Sequence, residues 1–106
     1  MKYTEIKNLI EDLGIDYIRE CYDAGVLYYH SEVISAAYYA DIQPCDIAEC
    51  YQGEFNSDEE FVEDLLYQCG DIPRNLPSYV HIDWERTARD IMYDYTEFSG
   101  HYFRII

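Results

Sequence analysis

Apolar residues at the start of the chain recur every three or four positions, and Ile6, Leu9, Ile10 and Leu13 fall on one stripe of a helix that Thr4 can cap and Gly14 can stop. Asp16 is placed to cap a second helix with Ile18, Cys21 and Tyr22 inward and Gly25 closing it. Val26 to His30 is β-branched and aromatic, which suits either a short strand or a buried connection. Ser31 and Glu32 open a third helix carrying Val33, Ile34, Ala37 and Tyr38. Pro44 stops or interrupts it, and Asp46 to Tyr51 adds a short turn.

Ser57, followed three residues later by Glu60, is a capping box ahead of Phe61, and its helix should end at Gly70. Pro73 to Ser78 reads as loop. Asp83 can then cap a helix from Trp84 to about Tyr95, with Trp84, Ala88, Ile91, Met92 and Tyr95 on one stripe. Tyr102 to Ile106 has strand composition, to be paired with Val26 to His30 or with the region near Val80. The pattern predicts an α-rich, small α+β fold, a single domain over residues 1–106 whose β element is a short C-terminal strand.

Charge changes this ordinary picture. From Glu20 to Pro73 the chain runs for 54 residues with thirteen Asp or Glu and no Lys or Arg, within a chain of net charge −15. Soluble surfaces usually mix both signs, because unmatched charge repels itself. The segment is not a disordered acidic tail, since 17% of the residues are aromatic, thirteen of them Tyr. Such a surface repels nucleic acid and anionic lipid, so no direct nucleic-acid or membrane binding is expected, and the partners should be basic. No leader-like stretch opens the chain and no apolar run reaches the roughly 20 residues of a membrane span, so a cytoplasmic protein is expected, with its four Cys reduced.

On the helix that Ser57 begins, Phe61, Val62, Leu65, Leu66 and Cys69 take one side while Glu59, Glu60, Glu63 and Asp64 take the other. The last helix is nearly balanced, because Glu85 can pair with Arg89 and Arg86 with Asp90. The candidate partner-binding face is therefore Glu54, Asp58, Glu59, Glu60, Glu63 and Asp64, extended by Asp41, Asp46, Glu49 and Asp71. A domain of this length, roughly 33 Å across, matches DNA carrying about 19 phosphates. Net −15 is of the same order, so the face can stand in for a phosphate backbone in a basic groove.

From Tyr51 onward the chain also resembles the C-terminal part of the ArdA antirestriction proteins. The matching pieces are Tyr51, Gly53 and Phe55, the stretch from Ser57 to Phe61, Ile72, Pro73, Leu76 and Tyr79. They continue with Ile82-Asp83-Trp84-Glu85, Ala88-Arg89-Asp90, Gly100 and Phe103, so the similar region is 51–103. The resemblance implies an acidic DNA mimic from a phage or other mobile element that occupies the DNA-binding groove of a type I restriction-modification enzyme. Members of that family are often dimeric, so a homodimer is compatible with it. The chain is shorter than a full ArdA protein, which opens a second target: an anti-CRISPR role at the target-DNA or PAM site of a Cas complex, where Lys and Arg grip nucleic acid. The alternative from another class is an acidic structural or regulatory module that binds a basic protein without displacing DNA.

Other chemistries fit less well. Cys45-x4-Cys50 with Cys21, Cys69 and the three His lacks the close Cys pairing of structural zinc sites, and Cys21 and Cys69 suit small core positions. His81 to Glu85 is more simply a helix cap than an acid/base cluster, and no nucleophile or phosphate loop accompanies it. No enzyme, cofactor or metal is expected. The Tyr residues serve packing, with Tyr28-Tyr29 and Tyr38-Tyr39 the candidates for a dimer or target interface.

Overall fold

The structure, a computed structural model, describes residues 2–73 and 75–105; Arg74, the cation that follows the segment without Lys or Arg, lies outside them. The chain is an α+β fold with the element order α1 (Tyr3–Leu13), α2 (Ile15–Asp23), α3 (Ser31–Tyr39), α4 (Ile47–Cys50), β1 (Tyr51–Glu54), α5 (Asp58–Gln68), α6 (Trp84–Ile91), β2 (Tyr95–Phe98) and β3 (His101–Arg104). The strands form one antiparallel sheet in the order β1-β3-β2.

The sheet lies between two helical layers, and the pleat of β3 explains how. Successive strand residues point to opposite faces. Phe103 packs with α1, α2, α3 and α4, through Leu9, Leu13, Ile18, Cys21, Ile34 and Ile47. Its neighbour Tyr102 packs with Phe61 and Val62 of α5 and Ala88 of α6. His101, Tyr102 and Phe103 are consequently all buried, as expected of a central strand covered on both sides. Stacking the two layers along one axis gives an elongated body of 54 × 21 × 20 Å. Its radius of gyration is 16.5 Å, against about 13 Å for a compact sphere of this length.

Several sequence expectations meet the structure directly. The Ser57 hydroxyl accepts from the Glu60 backbone N–H at 3.1 Å, and the Asp83 carboxylate accepts from that of Arg86 at 3.1 Å, as predicted for both caps. Thr4 does not cap α1, because the helix already starts at Tyr3 and the Lys2 carbonyl accepts its first bonds. Gly14 both ends α1 and precedes α2, leaving Asp16 in the first turn instead of at the cap. Tyr22 points outward and is 73% exposed, while Ile18 and Cys21 of the same helix are buried. His30 caps α3 through its ring, Asp41 at φ 64° has left the helical region beyond its end, and Pro44 starts a 3-10 turn. Tyr38 is partly exposed, not inward, and Cys69 lies exposed past the end of α5.

The largest differences concern strands. The predicted last helix stops at Ile91, and Tyr95 begins β2. Between β2 and β3 the loop is Ser99-Gly100, with φ of 52° and 85° at its two positions, the left-handed pair that a tight hairpin turn demands. The C-terminal strand is present as His101–Arg104, but its partners are β1 and β2, while Val26 to His30 is a turn. No helix among the described residues is long and apolar enough to cross a membrane.

A candidate acidic interaction face

The end of β1 and the start of α5 hold the centre of the predicted face. Helix α5 buries Phe61 and Val62 and leaves Asp58, Glu60, Glu63 and Asp64 exposed, with Glu59 half-buried. Asp58, Glu59 and Glu60 occupy its first turn, where unpaired backbone N–H groups favour negative charge. Among the described residues no Lys or Arg forms an ion pair with any of these five carboxylates. The cation-bearing pairs are instead Arg19–Asp16 at 4.0 Å, Arg89–Glu85 at 3.7 Å and Arg104–Glu49 at 3.2 Å. The predicted Glu85–Arg89 pair is therefore present, whereas Arg86 and Asp90 form none among the described residues.

Two residues of α5 are held by neutral donors. The Tyr102 hydroxyl, reaching across from β3, donates to Asp58 Oδ1 at 2.6 Å, and Gln68 Nε2 donates to Asp64 Oδ2 at 2.8 Å. Burial and the bond to Asp58 both push the Tyr102 phenol well above its ordinary range, so it stays a donor.

The outlying members of the predicted face are elsewhere. Asp41 and Asp46 border an open cleft of about 350 Å³ that also contains Arg104, whose guanidinium holds Glu49. That region carries its own counter-charge, and Asp46 is half-buried. Asp71 is exposed just beyond α5. Glu54, at the far end of β1, is drawn to a different group: its Oε2 lies 3.3 Å from Nε2 of His101, and Glu32 Oε2 from α3 lies 4.0 Å from the same nitrogen. His101 is buried, only 5% exposed, and its Nδ1 is 2.9 Å from the Tyr51 hydroxyl.

Aromatic side chains also pair with one another near the surface. Tyr39 stacks on Phe98 with ring centres 5.0 Å apart, Tyr38 meets Tyr17 edge-on at 5.0 Å, and Tyr28 stacks on Tyr29 at 4.4 Å. Tyr28, Tyr38 and Tyr39 remain exposed, so the two Tyr pairs singled out in the sequence do reach the surface. Cys21 and Cys50 are buried, and Cys45 and Cys69 exposed, which sets no two of these thiols in a shared zinc arrangement with a His among the described residues.

No family model matches the chain, and no curated protein or solved structure is significantly similar to it.

Proposed function

We propose that the protein is a DNA-mimic inhibitor of a bacterial defence system, acting in the host cytoplasm by occupying the basic DNA-binding cleft of a restriction or CRISPR-Cas component. The observation that carries this reading is the set of five α5 carboxylates with no cationic partner among the described residues. The body's shape supports it. Net −15 spread over a 54 Å length is one charge per about 3.6 Å, about half the line density of duplex DNA, which has one per about 1.7 Å. Asp58, Glu59, Glu60, Glu63 and Asp64, with Asp71 beyond them, present the phosphate-like face. Glu54 belongs as much to the His101 cluster, and Asp41, Asp46 and Glu49 are peripheral because Arg104 tempers their field. The mechanism is steric and electrostatic, with no bond made or broken, and affinity falls as salt rises.

The test is the plating efficiency of one phage, with and without the protein, on matched hosts protected by type I restriction, by CRISPR-Cas or by neither. Rescue on the restricting host alone identifies an antirestriction protein, and rescue on the CRISPR host alone an anti-CRISPR protein. Reversal of Glu59, Glu60, Glu63 and Asp64 to Lys must then abolish rescue in a folded variant. Undiminished rescue refutes mimicry by this face, and absence of rescue on every host favours an acidic interaction module.

A further inference from the structure

We propose that Glu32, Glu54 and His101 form a binding site for a divalent transition-metal ion, best matched by Zn2+. Their donor atoms all lie within 4.8 Å of one another, although the residues come from the first turn of α3, the end of β1 and the start of β3. Donors on a tetrahedral Zn2+ with bonds of about 2.0–2.1 Å stand about 3.3 Å apart. Nε2 of His101 and Oε2 of Glu54 are separated by 3.3 Å, and Oε2 of Glu32, on an exposed side chain, lies 4.0 Å from the same nitrogen.

Two further features prepare the site. The buried imidazole is fixed by Tyr51 at Nδ1, which leaves Nε2 directed at the carboxylates; metal-bound His residues are oriented in this way by a partner on the other ring nitrogen. The register of β1 supplies the second. Tyr51 pairs with Phe103, but Gly53 pairs with Tyr102 and Glu54 with His101, so one extra residue is accommodated between Tyr51 and Gly53. In a regular strand, residues 51 and 54 face opposite sides of the sheet. The bulge, at which Gly53 has φ 120°, brings both Tyr51 and Glu54 to the His101 side. An L side chain at Gly53 is strained there, and its Cβ would meet the Phe55 ring at 3.3 Å.

One imidazole nitrogen and two carboxylate oxygens suit Zn2+ or Mn2+ better than a soft Cu+ or an all-oxygen Ca2+ site. Three protein donors leave a coordination position open towards a cleft of about 320 Å³ lined by Ser35, Ala36, Phe98 and Ser99, where a water or a side chain of a partner completes the shell. The ion also neutralises two carboxylates that the chain otherwise holds together within its cation-free segment.

The experiment is a calorimetric Zn2+ titration of the full chain carrying Cys45→Ser and Cys69→Ser, which removes the exposed thiols as rival ligands. One equivalent should bind, and Zn2+ at about a hundredfold above its Kd should raise Tm by about 10 °C. Glu32→Gln and Glu54→Gln should each weaken binding by about tenfold or more, and Tyr51→Phe by about 10–100-fold through lost orientation of His101. Broadening of the His101 ring resonances by Mn2+ locates the ion without any substitution in the site. Absence of binding overturns the proposal, as does binding that these variants leave undiminished, which places the ion elsewhere on the chain.

Discussion

Reversing a single charge on α5 should stabilise the fold while weakening the proposed function. Three carboxylate pairs on this helix stand three or four residues apart: Glu59–Glu63, Glu60–Glu63 and Glu60–Asp64. Glu63 belongs to two of them. A like-charge pair at such spacing costs about 0.2–0.5 kcal/mol, and an opposite pair gains a similar amount. Glu63→Lys turns two repulsions into two attractions, one with a Glu four residues N-terminal to the introduced Lys, the favoured order, for a swing of about 1 kcal/mol. In a domain of this size that raises Tm by about 4–8 °C. The gain is electrostatic between exposed groups, so it should be full in about 0.01 M salt and nearly vanish in about 1 M, where the screening length falls to about 3 Å. Thermal unfolding of both proteins at the two salt concentrations, paired with competition for DNA on the inhibited enzyme, measures both halves. No stabilisation at low salt, or equal stabilisation at both, refutes the account of α5 as a helix whose neighbouring carboxylates repel one another. A more stable variant with full potency refutes Glu63 as part of the contact.

The remaining predictions concern what holds the charged surface in place. Tyr102→Phe removes the hydroxyl that donates to Asp58; because the acceptor is charged but exposed, the loss should be about 1.5 kcal/mol by urea unfolding, and an unchanged midpoint contradicts the bond's role in docking α5 on the sheet. Iodoacetamide should modify Cys45 and Cys69 in the folded protein and reach Cys21 and Cys50 only after unfolding, as peptide mass mapping would show. Burial, reinforced by Glu20, pushes the Cys21 thiol from 9.0 to about 11, and burial raises Tyr17 above its ordinary 10.0. The fold therefore keeps protons that the unfolded chain has lost, so stability is full below the unfolded value of 9.0 and declines as pH rises through about 11. Urea midpoints that rise across that window would contradict the assignment, and Cys21→Ala should flatten the decline.

The helices were legible because their information is local: stripes at three- and four-residue spacing, and capping carboxylates and hydroxyls within one turn of the bonds they make. Strands β1 and β2 were not. Tyr51-Gln52-Gly53-Glu54 has weak strand composition and owes its form to β3, a partner distant in sequence. Tyr95 continues the apolar stripe of α6, which hid the 3-10 turn at Met92–Asp94 where the chain leaves the helix. One signal was available: Ser99-Gly100 between two aromatic four-residue runs reads as a hairpin turn. Of the candidate face, α5 was readable because it is one helix. The group of Glu32, Glu54 and His101 was not, since it depends on a bulge and on three elements brought together by tertiary packing.

The placement of charge on α5 also explains how the fold carries it. Asp58, Glu59 and Glu60 sit in the first turn, and each gains about 0.3–1 kcal/mol from the positive end of the helix. That gain offsets the roughly 1 kcal/mol of repulsion among the three carboxylate pairs. Underneath, Phe61 stacks on Tyr102 with ring centres 4.6 Å apart and meets Phe55 at 5.3 Å and Tyr95 at 5.1 Å, so the helix is anchored by aromatic contacts that reach the surface charges only through the Tyr102 hydroxyl at Asp58. Glu63 and Asp64 stand beyond the first turn, where the backbone offers them no comparable compensation, and among the described residues Asp64 has only the neutral amide of Gln68. These two carboxylates therefore have the most to gain from a cationic partner, and their neutralisation should weaken target binding more than neutralisation of Asp58, whose charge Tyr102 and the helix terminus already satisfy.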